Sequence, residues 1–209
     1  MAERDGQAAR ESWRWARMGA AITAGTTDAA GFAGFGEGSY LAFPQGVLEN
    51  PGRTAIGAGC VVNEHGTLSA GLPGDTSVGA PLIRLGDRCV LGRGTEILAV
   101  EHVELGEDVW TASRVTIVDH DHRHDQPGVP VALQWPLAAA PVVIGAGSVL
   151  STGVTGLAGA RIGAGSIVAS GAQVLAGDYP ARAVLAGVPA RVVRVHAGEL
   201  DVEHDEQER

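Results

Sequence analysis

The chain has 209 residues and a formal net charge of −9, and its 15 fixed cationic side chains are all arginine. An acidic protein of this kind is not expected to bind nucleic acid, because phosphate binding requires a basic surface. The length suits one domain with a substantial core. With 31 glycines and 4% aromatic residues, the composition favours a narrow, regular architecture.

Residues 1–34 are predicted to form an N-terminal extension, in which a short helix around Trp13 and Trp15 leads into an Ala/Gly stretch. The apolar segment from Met18 to Gly25 is too short to span a membrane, and no export signal is visible. We therefore expect a cytoplasmic protein without a membrane partner. Cys60 and Cys89 lack metal-ligand spacing and are predicted to be small core residues.

Residues 35–195 are predicted to form the main domain, because pairs of small or aliphatic residues recur there about every six positions. The two members of each pair are two residues apart, which predicts short strands whose paired side chains point the same way. A six-residue period is typical of a hexapeptide β-helix. The sequence thus predicts an all-β parallel β-helix of about six coils. The pairs include Ser39/Leu41, Gln45/Val47, Thr54/Ile56, Ile83/Leu85, Cys89/Leu91, Val115/Ile117, Val142/Ile144, Val154/Gly156 and Ala172/Val174.

One stretch differs from the repeat in composition. Three histidines and three aspartates fall between Asp119 and Asp125, and a proline-punctuated loop follows, so that residues 121–141 interrupt the β-helix. We interpret this stretch as catalytic. The chain then ends in an acidic tail, residues 196–209, in which six acids lie between Glu199 and Glu208.

Three motifs carry a resemblance to a known family: Val115-Thr-Ile-Val-Asp-His-Asp-His122, Val143-Ile-Gly-Ala-Gly147 and Leu185-Ala-Gly-Val-Pro-Ala-Arg-Val-Val-Arg194. With them the chain resembles the hexapeptide-repeat acyltransferases, in particular the maltose, galactoside, nodulation and polysaccharide O-acetyltransferases. The resemblance covers about residues 35–195. It implies a left-handed β-helix, a homotrimer with active sites in grooves between subunits, and acetyl-CoA as the co-substrate, with no metal.

The resemblance also implies roles for single residues. His120 matches the family's catalytic histidine, a general base that takes the proton of the acceptor hydroxyl during attack on the thioester. Asp119 either orients the imidazole or caps the turn, and a backbone N–H would stabilise the oxyanion. The loop residues expected to shape the acceptor site are Asp121, His122, His124, Gln134 and Trp135.

On the donor side, Thr152 and Ser170 match small residues that line the pantetheine arm. Arg191 and Arg194 match the family's C-terminal motif, and their forked guanidinium groups suit the phosphates of CoA. Three glycines depart from the family pattern. Gly92 replaces an acceptor-binding asparagine, Gly177 lies where a lysine is usual, and Gly156 occupies an inward aliphatic position that it should weaken.

Several alternatives remain open. The acceptor could be a sugar, a glycan or a glycosylated natural product, or instead a xenobiotic such as an antibiotic, and an amine could replace the hydroxyl. The departures at Gly92 and Gly177 motivate a catalytically degenerate scaffold or binding protein. A γ-type carbonic anhydrase would share the fold, but it needs a histidine pair with four intervening residues that this sequence lacks.

Overall fold

The computed structural model describes residue 12 and residues 19–196. The predicted helix around Trp13 and the acidic tail beyond His196 lie outside these residues. The first described strand, β1 (Ile22–Thr23), pairs antiparallel with a later strand at the N-terminal end of the molecule. Three short 3₁₀ helices occur within the described part of the chain: Ala29–Gly31, Pro51–Arg53 and Val131–Leu133.

Apart from one two-stranded hairpin, the remaining strands build the three faces of a triangular β-helix, which we number in the order in which the chain visits them. Face 1 contains β2 (Gly34–Phe35), β5 (Thr54–Ile56), β8 (Ile83–Leu85), β11 (Val103–Leu105), β16 (Val142–Ile144), β19 (Ala160–Ile162) and β22 (Gly177–Tyr179). Face 2 contains β3 (Tyr40–Leu41), β6 (Val61–Val62), β9 (Val90–Leu91), β12 (Trp110–Thr111), β17 (Val149–Leu150), β20 (Ile167–Val168), β23 (Ala183–Gly187) and the antiparallel β24 (Ala190–Val195). Face 3 contains β4 (Leu48–Glu49), β7 (Thr67–Ala70), β10 (Glu96–Ala99), β13 (Thr116–Val118), β18 (Thr155–Gly156) and β21 (Gln173–Val174).

Successive coils stack in register, so that equivalent repeat positions form ladders along the molecule. Ile97 pairs with Ile117, which pairs with Gly156, which pairs with Val174. The inward side chains fill the prism, and fully burying one Leu, Ile or Val contributes about 1.5–3 kcal/mol. Six full coils and the start of a seventh confirm the predicted left-handed parallel β-helix of about six coils.

One predicted inward pair is wrong. Val47 is 57% exposed, and Leu48 takes the inward position and pairs in register with Leu68. The connection after Leu41 is one residue longer than the six-residue spacing requires. Because side chains alternate along a strand, this single extra residue moves the inward position from Val47 to Leu48.

Small polar residues of the core are hydrogen-bonded, except Thr54, whose buried Oγ1 has no partner within the described part of the chain. Ser39 Oγ donates to the carbonyl of Gly57 at 2.7 Å and accepts the N–H of Cys60 at 2.8 Å. The thiols of Cys60 and Cys89 are free and buried, and each donates to a glycine carbonyl at 3.1 Å. This confirms that both cysteines are small core residues, and it explains how Ser and Cys occupy an otherwise aliphatic interior.

The three corners of the prism differ in length. Most connections between faces 1 and 2, and between faces 2 and 3, are short and regular. The corner from face 3 back to face 1, which we call corner 3–1, instead carries the two long segments 71–82 and 119–141. Among the described residues, no helix is long and apolar enough to cross a membrane.

Candidate active site

His120 lies on corner 3–1, two residues after the end of β13 (Thr116–Val118). It begins β14 (His120–Asp121), which pairs antiparallel with β15 (Ala138–Ala139). The long loop therefore leaves and rejoins the β-helix beside His120. This pairing fixes the backbone of the histidine, although the loop itself is an insertion into the repeat.

The carboxylate of Asp119 fixes the ring of His120. Asp119 is fully buried, and its Oδ1 lies 2.9 Å from Nδ1 of His120. The same carboxylate accepts the backbone N–H groups of Val100 at 2.9 Å, Glu101 at 2.7 Å and His102 at 2.7 Å. These four contacts tie the imidazole to the corner of the preceding coil.

The arrangement determines the tautomer of His120. Backbone N–H groups can only donate, so the carboxylate acts as their acceptor and takes a further hydrogen bond from Nδ1–H. Nε2 then carries a lone pair, and within the described part of the chain it has no hydrogen-bond partner. The side chain is 20% exposed. It can therefore accept a proton from a bound substrate.

A cleft of about 490 Å³ lies next to His120, lined by Val118, His120, Asp121, Leu157, Ala158, Leu175 and Ala176. Val118, Leu157 and Leu175 occupy the same repeat position in three successive coils, one residue past the inward ladder. Two coil spacings make this wall about 10 Å long. It continues from His120 toward the C-terminal coils.

The sequence analysis did not identify the apolar residues of this cleft, which are Val118, Leu157, Ala158, Leu175 and Ala176. The signal was present: Leu157 and Leu175 each follow an inward residue at the offset that Val118 has from Ile117. Aligning the repeats by position, rather than searching for reactive side chains, would have found them.

The loop after His120 brings three predicted residues together. Asp121, His122 and His124 line a second cavity of about 310 Å³. Arg123 and Asp125 form an ion pair at 2.6 Å in the same lining, and the hydrogen bond from Arg123 holds the pKa of the Asp125 carboxyl below its usual range. The cavity thus combines imidazole rings with carboxylates.

Gln134 has a different surrounding from the one expected. The residue is 2% exposed, and its Nε2 donates to the carbonyls of Gln126 at 3.2 Å and Val129 at 2.9 Å. Its Oε1 accepts the N–H of Gln126 at 3.0 Å. The amide is occupied inside the loop, so Gln134 shapes the loop and does not face an acceptor. The next residue, Trp135, is half exposed.

Thr152 and Ser170 lie on the corner between faces 2 and 3, one coil apart, with the N–H of Gly171 donating to the carbonyl of Thr152 at 2.9 Å. His120 lies on corner 3–1. Within one chain, these two residues and the histidine do not line a common cleft.

Arg191 and Arg194 lie on β24 and share one side of it. Arg191 pairs with Ala186 and Arg194 pairs with Val184, and a register shift accommodates the extra residue between them. Cross-strand partners lie on the same side of a sheet, and Val184 and Ala186 both face outward. This register shift is a β-bulge. Without it, two residues that are three positions apart along a strand would point to opposite sides of the sheet.

The glycine at position 92 is explained by the backbone. A Cβ added there would overlap the carbonyl oxygen of Ala112 in the next coil. No asparagine side chain fits unless that coil shifts, so a close approach of two coils requires glycine here.

No group of three His, Cys, Asp or Glu side chains is arranged to hold a metal ion in residues 19–196 or at residue 12. The histidines of the loop instead alternate with charged residues at the surface.

No family model matches the sequence. The chain is 30% identical over 149 residues to the putative lipopolysaccharide biosynthesis O-acetyl transferase WbbJ of Escherichia coli K12, which covers 65% of this chain and 75% of the relative. It is 36% identical over 112 residues to the probable acetyltransferase Rv3034c of Mycobacterium tuberculosis, covering 54% of this chain and 37% of that protein.

Solved structures share the fold. The N-acyltransferase AntD of Bacillus cereus, in complex with dTDP and 3-hydroxybutyryl-CoA, superposes with a TM-score of 0.67 at 15% identity, covering 81% of this chain and 86% of AntD. A hexapeptide-repeat acetyltransferase of Vibrio cholerae in complex with acetyl-CoA gives a TM-score of 0.51 at 20% identity, covering 80% of this chain and 73% of that one. The 30% identity over three quarters of WbbJ, together with this β-helix, shows that the chain belongs to the hexapeptide-repeat acyltransferases.

Proposed function

We propose that the protein transfers an acetyl group from acetyl-CoA to a hydroxyl group of a sugar or a sugar-containing acceptor, with His120 as the general base. The observation that carries this proposal is the hydrogen bond of His120 Nδ1 to the buried Asp119, which leaves Nε2 free on a histidine that lines the 490 Å³ cleft. Family membership supports the acyl transfer. The name of WbbJ, putative lipopolysaccharide biosynthesis O-acetyl transferase, supports the sugar acceptor.

In this mechanism Nε2 takes the proton of the acceptor hydroxyl as its oxygen attacks the thioester carbonyl. Collapse of the tetrahedral intermediate breaks the C–S bond, and the imidazolium returns the proton to the departing thiolate of CoA. Asp119 stabilises the imidazolium while it exists. No acyl-enzyme is needed, because a cleft that holds both substrates makes direct attack fast.

The donor would lie along the apolar wall. Leu157, Ala158, Leu175 and Ala176 offer the pantetheine arm an apolar surface that leads from His120 to the C-terminal coils. Arg191 and Arg194, on one side of β24, would contact the phosphates of CoA.

Thr152, Ser170 and the two arginines lie on face 2 or its corner with face 3, away from His120. They can serve the same site only if a neighbouring subunit supplies them. We therefore propose that each active site lies between two subunits of a homotrimer, with the catalytic cleft on one chain and these donor contacts on the next.

The surface of face 2 supports this assembly. Its outward ladder is apolar, whereas the equivalent ladder on face 1 carries the charged side chains of Arg84, Glu104, Arg161 and Asp178. An apolar patch of this extent marks an interaction surface. The ladder on face 2 consists of Tyr40, Val61, Val90, Trp110, Val149, Ile167 and Val184.

The experiment that tests the base is the His120→Ala variant, assayed by release of CoA with sugar acceptors and by calorimetric titration with acetyl-CoA. We expect kcat to fall by at least about 100-fold, because general base catalysis is lost, while the donor dissociation constant stays unchanged. His65→Asn is the matched control, since His65 is an exposed histidine on another corner and asparagine tolerates its positive φ. Near wild-type turnover in His120→Ala would refute the role of His120. If the wild type binds no acetyl-CoA, the scaffold alternative replaces the enzyme.

A further inference from the structure

Charge is distributed unevenly along the chain. Residues 19–125 contain fourteen acids and six arginines, whereas residues 126–196, which include the C-terminal coils, contain four arginines and one acid. We propose that the basic C-terminal end binds the chain's own acidic tail, residues 196–209, and that the tail competes there with the phosphates of the donor. The competition rests on the proposed function, but the contact of the tail with this end does not.

The arginines at this end of the prism lack carboxylate partners among the described residues. The one acid, Asp178, lies opposite Arg161 on face 1. Arg191 makes one side-chain hydrogen bond, from Nη1 to the preceding carbonyl at 2.9 Å, and Arg182 and Arg194 make none within residues 19–196. Arginines without partners attract carboxylates and phosphates alike, because both anions match the forked donors of the guanidinium group.

Strand β24 ends the sheet of face 2, and among the described strands it pairs only with β23. Its other edge presents backbone N–H and C=O groups without a described partner, and such an edge is a template for a further strand. Val193 and Val195 on this strand are 62% and 52% exposed. A segment that covers the edge therefore needs apolar as well as acidic side chains.

The first part of the acidic tail has this composition. Acids and apolar residues alternate in the sequence Glu199-Leu-Asp-Val-Glu203, and a period of two is typical of a strand. Ala197-Gly198 lie between this sequence and the end of β24, which suits a two-residue hairpin connection. Glycine accepts the positive φ that such turns require. The tail can therefore fold back along the free edge of β24.

A two-residue connection also sets the register of the two strands. It places Leu200 opposite Val195, so that two apolar side chains meet. It places Asp201 opposite Arg194, so that opposite charges meet. A slip by one residue would instead place Asp201 opposite Val195 and an apolar residue opposite Arg194, and both matches would be lost. A carboxylate that neutralises Arg194 competes with a donor phosphate for the same guanidinium group.

Disulfide cross-linking tests the register. The double variant Val195→Cys with Leu200→Cys is treated with oxidised glutathione, and the cross-link is followed by mass spectrometry of peptide fragments. Cys60 and Cys89 are fully buried and do not compete. We expect this pair to close about tenfold faster than the control pair, Val195→Cys with Asp201→Cys, because only opposed positions lie within disulfide distance on the same side. Equal rates would show that the tail is unpaired and would overturn the proposal.

Calorimetric titration with acetyl-CoA tests the competition. The first variant neutralises three acids of the tail: Glu199→Gln, Asp201→Asn and Glu203→Gln. The matched control neutralises the same residue types near the N-terminus: Glu3→Gln, Asp5→Asn and Glu11→Gln. The tail variant should lower the donor dissociation constant about threefold at low salt, and the difference should disappear at high salt, which screens exposed charges. The control should leave the constant unchanged.

The outcomes separate this inference from the reaction itself. An unchanged dissociation constant in the tail variant would refute the competition. An equal change in the control would also refute it, because the effect would then follow net charge alone. If neither the wild type nor the tail variant binds acetyl-CoA, the proposed function fails, while the cross-link still decides whether the tail pairs with β24.

Discussion

Asp119 connects the reactive imidazole to the scaffold. Its buried carboxylate accepts three backbone N–H groups from residues 100–102 as well as the hydrogen bond from His120. Of the two roles that the sequence left open for Asp119, orienting the imidazole and capping a turn, the geometry fits both. The Asp119 side chain therefore binds the corner of the preceding coil and also orients the imidazole ring of His120.

Replacing Asp119 with Asn should lower kcat about 100-fold, because an amide cannot hold the ring in the same tautomer or stabilise the imidazolium. The KM for acetyl-CoA should not change. A variant that loses stability but keeps the wild-type kcat would show that Asp119 has only the turn-capping role.

At the scale of the strands, the repeat was predictable almost throughout. The inward pairs are a local pattern, and each buried residue of β8, β9, β13 and β16 was identified from its spacing alone. The failure at Gln45/Val47 has a local cause, an extra residue before β4. Sequence periodicity alone cannot show at which residue the inward positions begin again after such an insertion.

Gly156 in strand β18 can be replaced by a residue that makes the protein more stable. Gly156 is buried, its φ is not positive, and a Cβ added there meets no atom within 4 Å. Gly156→Ala should raise the free energy of unfolding by about 1 kcal/mol, because it restricts the unfolded chain and fills open space. Chemical denaturation measures this change. Gly92→Ala is the matched control and should destabilise the protein, since its Cβ overlaps Ala112. A loss of stability in Gly156→Ala would contradict the prediction.

At the scale of the whole molecule, faces 1 and 2 have different outward surfaces: the outward ladder of face 2 is apolar from Tyr40 to Val184, whereas that of face 1 carries charged side chains. The predicted donor residues lie on or beside face 2, while His120 lies on the opposite corner. An assembly through face 2 would bring these two halves of the site together.

If the proposed homotrimer forms through face 2, Trp110→Asp should convert it into monomers and abolish turnover. Trp110 is 56% exposed in the middle of the apolar ladder, and an interface charge without a partner costs several kcal/mol. Size-exclusion chromatography with light scattering gives the mass. Arg84→Asp, a charge change on the exposed surface of face 1, should leave the mass unchanged. An unchanged trimer in Trp110→Asp, or a monomeric wild type, would refute the assembly.

The sequence by itself determined the β-helix, the place of the long loop and the candidate base, because a six-residue period and a cluster of histidines are local patterns. Only the tertiary structure decided which of these residues meet. Asp119 contacts residues 100–102, Gln134 turns into its own loop, and Thr152 and Ser170 lie on another corner. In a β-helix, neighbours are separated by one coil, and the insertions 71–82 and 119–141 change how many residues a coil contains. Which residues of neighbouring coils are in contact therefore depends on where in the chain these insertions occur.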